Sequence, residues 1–165
     1  MKKTILLILA LCLFLLPACS KTESAGPFEP GVMSISVWYP DENVIDVHPE
    51  TRSFPYVQKE DIPLYALREL YVTPADPNLV TILSGSVEDI LSVTVKDSTA
   101  FVDLSQEFVS KNTGGTSLET MVIRSMVNTL CELDGIEKVQ FMVQGDPNAP
   151  FGGHFTIDEP FYPSK

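Results

Sequence analysis

Positive charge is in short supply in this chain: 11 lysines and arginines stand against 22 aspartates and glutamates in 165 residues, a formal net charge of −11. Such a surface repels polyanions, and no basic stripe is present to displace counterions, which excludes nucleic acid and direct electrostatic binding to anionic lipid. Histidine is scarcer still. His48 and His154 stand far apart, with no H-E-x-x-H and no Cys/His ligand spacing, so neither a metal site nor a metal cofactor is expected. The chain also lacks the G-x-S-x-G elbow, S-x-x-K and the glycine-rich phosphate loops, and its glycine pairs, Gly114-Gly115 and Gly152-Gly153, read as tight turns. Carboxylates adjoin at Asp41-Glu42, Glu60-Asp61, Glu88-Asp89 and Asp158-Glu159. Neighbours on a turn or helix start give no sign of meeting across a cleft of ~5–10 Å, as paired acid–base groups must. A non-enzyme without cofactors is the expectation.

Only three cysteines occur, and their positions differ in kind. Cys12 lies in an apolar run over residues 5–16 that follows Lys2 and Lys3, too short for the ~20 residues of a bilayer span and suited to an export signal. The run ends in Leu16-Pro17-Ala18-Cys19, with a branched apolar residue three before a cysteine and a small residue directly before it. That pattern resembles the bacterial lipobox. It implies cleavage between Ala18 and Cys19, a diacylglyceryl thioether on Cys19 and attachment by lipid chains, each buried CH₂ contributing roughly 0.8 kcal/mol. Residues 1–18 are then a signal peptide, and the remaining 147 of 165 carry a net charge of −13, since two lysines leave with the signal. Cys131 is left as a lone thiol on the apolar side of a predicted helix, where it reads as a small buried hydrophobe, and no intramolecular disulfide is possible.

Residues 19–31 comprise Cys19 and SKTESAGPFEPG, which has neither helical nor strand periodicity and reads as a tether of up to ~40 Å at about 3.3 Å per residue. The domain, 32–165, opens with VMSISVWYP, whose Met33, Ile35, Val37 and Tyr39 make the core face of a strand. Short extended pieces over 44–48 and 51–57 are bounded by Pro49 and Pro55. A helix is predicted over 60–72, with Asp61 as cap, Pro63 in the first turn and Leu64, Leu67, Leu70 and Tyr71 at three-to-four spacing. LSVTVKDSTAFVDLS then reads as a β-hairpin: Leu91, Val93 and Val95 alternate, Asp97-Ser98 turns, and Ala100, Val102 and Leu104 alternate again.

After a brief turn over 105–109 and a flexible break at 112–115, Thr116-Ser117-Leu118-Glu119 matches a capping box. The long helix behind it carries the stripe Leu118, Met121, Val122, Met126, Leu130 and Leu133, and Gly135 stops it. A strand with Val139, Phe141 and Val143 on one face and Lys138, Gln140 and Met142 on the other follows, and residues 155–157 add a short edge strand. Asp103, between Val102 and Leu104 on the face opposite the core, is placed to tie down a neighbouring turn or backbone N–H, a structural role. The expected fold is α+β: a two-layer sandwich, its sheet mostly antiparallel with one β-hairpin, and two main helices packed on one face.

VWYPDEN at the first strand, FVDLSQEF at the hairpin's end, the helix VIRSMVNTLCEL, the strand KVQFMVQG and the closing GGHFTIDEPF stand in an order that resembles the GerMN domain of sporulation and spore-germination lipoproteins. The resemblance spans about residues 32–161. It implies a non-catalytic extracytoplasmic domain with an interaction or scaffolding role in the cell envelope. The membrane, through the lipid anchor, and an envelope protein or a second copy are then the expected partners, and the outer face of the cell membrane the location. An alternative reading makes the chain a ligand- or glycan-binding lipoprotein, with Phe151, His154, Phe155 and Tyr162 offering aromatic faces and a polar group.

Overall fold

The computed structural model describes residues 30–153 and 155–164. The signal segment, Ala18, Cys19, most of the tether and His154 lie outside these residues.

Strands β1 (Gly31–Pro40) and β2 (Val47–Tyr56) form an antiparallel pair. Alternation puts Ile35, Val37 and Tyr39 in the core, with Met33 packed at its margin. Pro49 and Pro55 were expected to bound two shorter pieces, but both lie inside β2. Parity explains the difference. The pairs Pro40–Val47, Trp38–Pro49 and Val32–Pro55 all fall on one phase of the ladder, the one whose N–H groups point away from the partner strand, so no ladder bond is lost. Consistent with that phase, the Trp38 N–H leaves the sheet and donates to Thr129 Oγ1 at 2.9 Å. Extended structure begins at Val47 rather than Val44, because Asp41 gathers the backbone N–H groups of Asn43, Ile45 and Asp46 and draws 41–46 into a turn.

A 3₁₀ turn, Lys59–Asp61, leads into helix α1 (Ile62–Glu69). Asp61 makes no side-chain cap: the 3₁₀ turn has already given it helical dihedrals, so its carboxylate does not face the first free N–H groups. A second hairpin joins β3 (Ile90–Lys96) to β4 (Thr99–Leu104) through Asp97 and Ser98, with φ +50 and +55, a type I′ turn built without glycine. The β4 alternation is buried as expected, whereas in β3 only Val93 is; Leu91 sits in a bulge between Ile90 and Ser92, and Val95 is 47% exposed.

Ser105 caps α2 (Gln106–Lys111) by accepting from Phe108 N. The longest helix, α3 (Thr116–Leu130), is buried on almost all sides from Met121 to Leu130, Arg124 being the exception. It contacts β1, β2 and β5, while α1 contacts β1, β2 and β3, so the two main helices join the strands into one core. Strand β5 (Lys138–Val143) returns parallel to β4 after the α2–α3 crossover. The α+β class therefore holds, with the strands divided into the sheets β1-β2 and β3-β4-β5.

Candidate functional site

The C-terminal loops carry most of the residues singled out for contact, and the structure does not gather them on one surface. Phe151 is 2% exposed, its ring 6.1 Å from Phe141 and 6.4 Å from Phe108, which makes it a core side chain. Phe155 is half-buried and Tyr162 is 66% exposed. A cavity of about 500 Å³ has Asn148, Phe151, Phe155 and Asp158 in its wall. A smaller one of about 190 Å³ lies between α3 and the tail, with Phe155 and Tyr162 at its edge. The expected edge strand at 155–157 is reduced to an isolated antiparallel bridge between Phe155 and Phe151, and it is Phe161 that exchanges backbone hydrogen bonds with Val139, at 2.8 and 2.9 Å. The 155–157 stretch instead covers the second face of β5: Ile157 is fully buried and its carbonyl accepts from Gln140 Nε2. Gln140, on the face opposite Val139 and Phe141, is buried for that reason.

The tail is strapped to α3 as well. Buried Asn128 donates to Ser164 O and accepts from Ser164 N, both at 3.0 Å, while Arg124 reaches the same carbonyl at 3.1 Å and Asp46 at 2.8 Å. Asp103 Oδ1 accepts from Gly145 N at 2.8 Å, directly after Gln144 at φ +52. Cys131 is half-buried at the C-cap of α3.

Glu119 does not close a capping box with Thr116. Gly115, at φ +98, takes the N-cap position and leaves Thr116 inside the helix, and the Glu119 side chain turns inward, 1% exposed, with its carboxylate against Gly152. The box forms elsewhere. Ser86 Oγ accepts from Glu88 N, and Ser86 N donates to Asp89 Oδ2 at 2.9 Å. That backbone bond, with Lys111 at 3.1 Å and Ser105 Oγ at 3.2 Å, holds Asp89 below the usual carboxylate range against the opposing effect of its burial.

Two polar anchors escaped the pattern reading. Asn112, placed in a flexible break, is 3% exposed and fixes Ser84 through both its amide atoms. Glu50 is partly desolvated, which opposes ionisation, yet the N–H groups of Asp76 and Ala75 and the Arg52 guanidinium outweigh that and lower its pKa. Arg52 also pairs with Glu69 at 3.1 Å. Burial pushes the neighbouring Tyr39 hydroxyl up to about 12, Arg52 offsetting part of the rise, and that hydroxyl donates to Glu69 O. Single Asn and Glu residues in loops carry no periodic signal, so only their sequence-distant partners reveal them. Among the described residues no three His, Cys, Asp or Glu side chains come together as a metal-holding group, and no helix is long and apolar enough to cross a membrane.

A groove of about 550 Å³ separates the two sheets. Met33 of β1 stands on one side, Val93, Thr94 and Val95 of β3 on the other, with Ile62, Pro63, Leu133 and Ile136 between. A shallower cleft of about 390 Å³ continues it along β1, past Ser34, Ser36, Glu132 and Asp134.

A family described as "Germane: Sporulation and spore germination" matches residues 36–149, from β1 to the loop after β5. The chain belongs to the Germane family. Several solved structures share its fold. The tandem GerMN domains of the sporulation protein GerM from Bacillus subtilis align with TM-score 0.60 and 23% identity over 86% of this chain, which spans 50% of that one. A candidate lipoprotein from Clostridium perfringens aligns with TM-score 0.53 and 23% identity over 81% of this chain and 87% of its own. The first GerMN domain of GerM alone gives TM-score 0.51 and 21% identity over 69% and 84%. A comparison with curated proteins gives no match. At these identities the solved structures speak for the fold, while the family match carries the sporulation and germination assignment.

Proposed function

We propose that this chain is a lipid-anchored protein on the outer face of the cell membrane, whose Germane domain binds other envelope proteins and performs no catalysis, in the service of sporulation or spore germination. One observation carries the reading: Leu16-Pro17-Ala18-Cys19 stands upstream of a Germane domain at 36–149, with a tether-like stretch between. The fold similarity to a candidate lipoprotein supports it. Residues 1–18 are removed, Cys19 is acylated, residues 19–31 form the tether and the domain runs from 32. Growth with labelled palmitate tests the anchor. The wild-type chain incorporates label and sediments with membranes, and Cys19→Ser abolishes both; an unlabelled wild type, or a labelled variant, overturns the anchor.

A second reading, a glycan- or ligand-binding lipoprotein, is favoured by the cavity of about 500 Å³ lined by Asn148, Phe155 and Asp158. A thermal-shift series with envelope glycans decides it, and no shift with any of them removes it.

A further inference from the structure

We propose that the groove between β1 and β3 takes an extended, basic segment of another protein, which adds to the free edge of β3 as an extra strand. The inference rests on the reading of the domain as an interaction module and names the surface and the chemistry that module uses.

The two sheets differ in how their outer edges are guarded. Along β2 the outward phase of the ladder carries Pro49 and Pro55, which offer no N–H to an incoming strand. The outward edge of β1 is occupied at its far end, where Thr129 Oγ1 takes the Trp38 N–H and the Val80 N–H donates to Pro40 O. On the far side of the second sheet, Phe161 bonds to Val139 in β5. Strand β3 pairs with β4 alone among the described residues, contains no proline, and past the bulge at Leu91 is regular from Ser92 to Lys96.

Beside that edge lies the apolar groove. Val95 is 47% exposed although it belongs to a β-branched alternation suited to burial, and Met33, Ile62, Leu133 and Ile136 line the space beside it. An added strand places every second side chain into this floor while its backbone pairs with β3, the arrangement by which exposed sheet edges bind extended peptides.

Charge selects the occupant. The groove and the cleft that continues it carry Glu60, Glu132 and Asp134 against Lys59, within a chain of net charge −11. A second copy brings the same acidic surface and is repelled, whereas a strand alternating apolar with basic residues fits both the floor and the rim.

Titration of the purified full chain with capped synthetic peptides tests this. The probes are a short alternating valine–lysine peptide, its valine–glutamate counterpart, and the lysine peptide with a central proline. The lysine peptide is expected to bind at least ~10-fold more tightly than either control, to weaken with added salt, and to lose ~10-fold or more on Val95→Lys while the melting temperature of that variant stays near wild type. Equal binding of the lysine and glutamate peptides, no binding, or binding unaffected by Val95→Lys overturns the proposal. A dimer that Val95→Lys dissolves assigns the groove to a second copy. Slow exchange of the Val93 and Val95 amides, which point away from β4, in the free full chain assigns it to a segment of this chain. Either result also overturns the proposal. Loss of lipid labelling at Cys19 leaves peptide binding unchanged, so failure of the anchor and failure of the groove are told apart.

Discussion

At the scale of single residues, the structure depends on a few polar side chains that reach across the sequence. Asn112, Asn128 and Glu50 each hold backbone groups from a distant segment. A buried amide or carboxylate that satisfies backbone donors is costly to remove, since the freed partners stay desolvated. Gly152 shows the same economy in space: at φ +69 it sits in the left-handed region, and a Cβ there would land on the Glu119 carboxylate. Gly152→Ala is therefore expected to cost about 3 kcal/mol, from backbone strain plus displacement of a buried polar side chain. Gly145→Ala, at φ +82 with nothing within 4 Å of the added carbon, should cost only ~1–2 kcal/mol. Urea unfolding of both variants checks it, and equal losses would show that the Glu119 contact contributes nothing.

Elements were legible where period and burial coincide. The alternations at 35–39, 100–104 and 139–143 and the helical stripe at 121–130 all became buried faces. Capping was harder to read, because a Ser/Thr-x-x-Glu pattern fixes spacing and leaves open whether the carboxylate is wanted elsewhere. Glu119 is wanted against the tail loop, while Ser86-x-x-Asp89 makes the box. Turn chemistry yields a second expectation. Asp97 and Ser98 both hold positive φ without glycine, so Ser98→Gly relieves left-handed strain in a type I′ turn. It should stabilise the chain by roughly 1 kcal/mol, seen as a rise in melting temperature of a few degrees. A fall would mean that glycine's freedom in the unfolded chain outweighs the strain.

For the whole molecule the governing feature is acidity. Asp41, Asp46, Glu50 and Asp89 all have lowered pKa values. Backbone N–H bonds dominate the lowering at Asp46 and Asp89, and at Asp41 and Glu50 they overcome the desolvation that opposes it. A group whose pKa is lower folded than unfolded contributes stability that is complete above the unfolded value, about 4, and is lost as pH falls through the folded value. The urea midpoint should hold from about pH 7 to 5 and decline below about pH 4. Asp89→Asn should start lower at neutral pH and decline less in acid. Parallel curves would exclude Asp89 as a contributor.

The sequence by itself determined the α+β class and the order of the motifs, because these are local patterns of period, charge and spacing. Only the tertiary structure decided that the strands divide into two sheets, that Phe151 joins the core, that Gln140 is covered by the tail, and that Val95 faces an open groove. Each of those outcomes is a choice of partner made between segments far apart in the chain. Burial there is set by which surfaces meet, and no repeat within either segment encodes it.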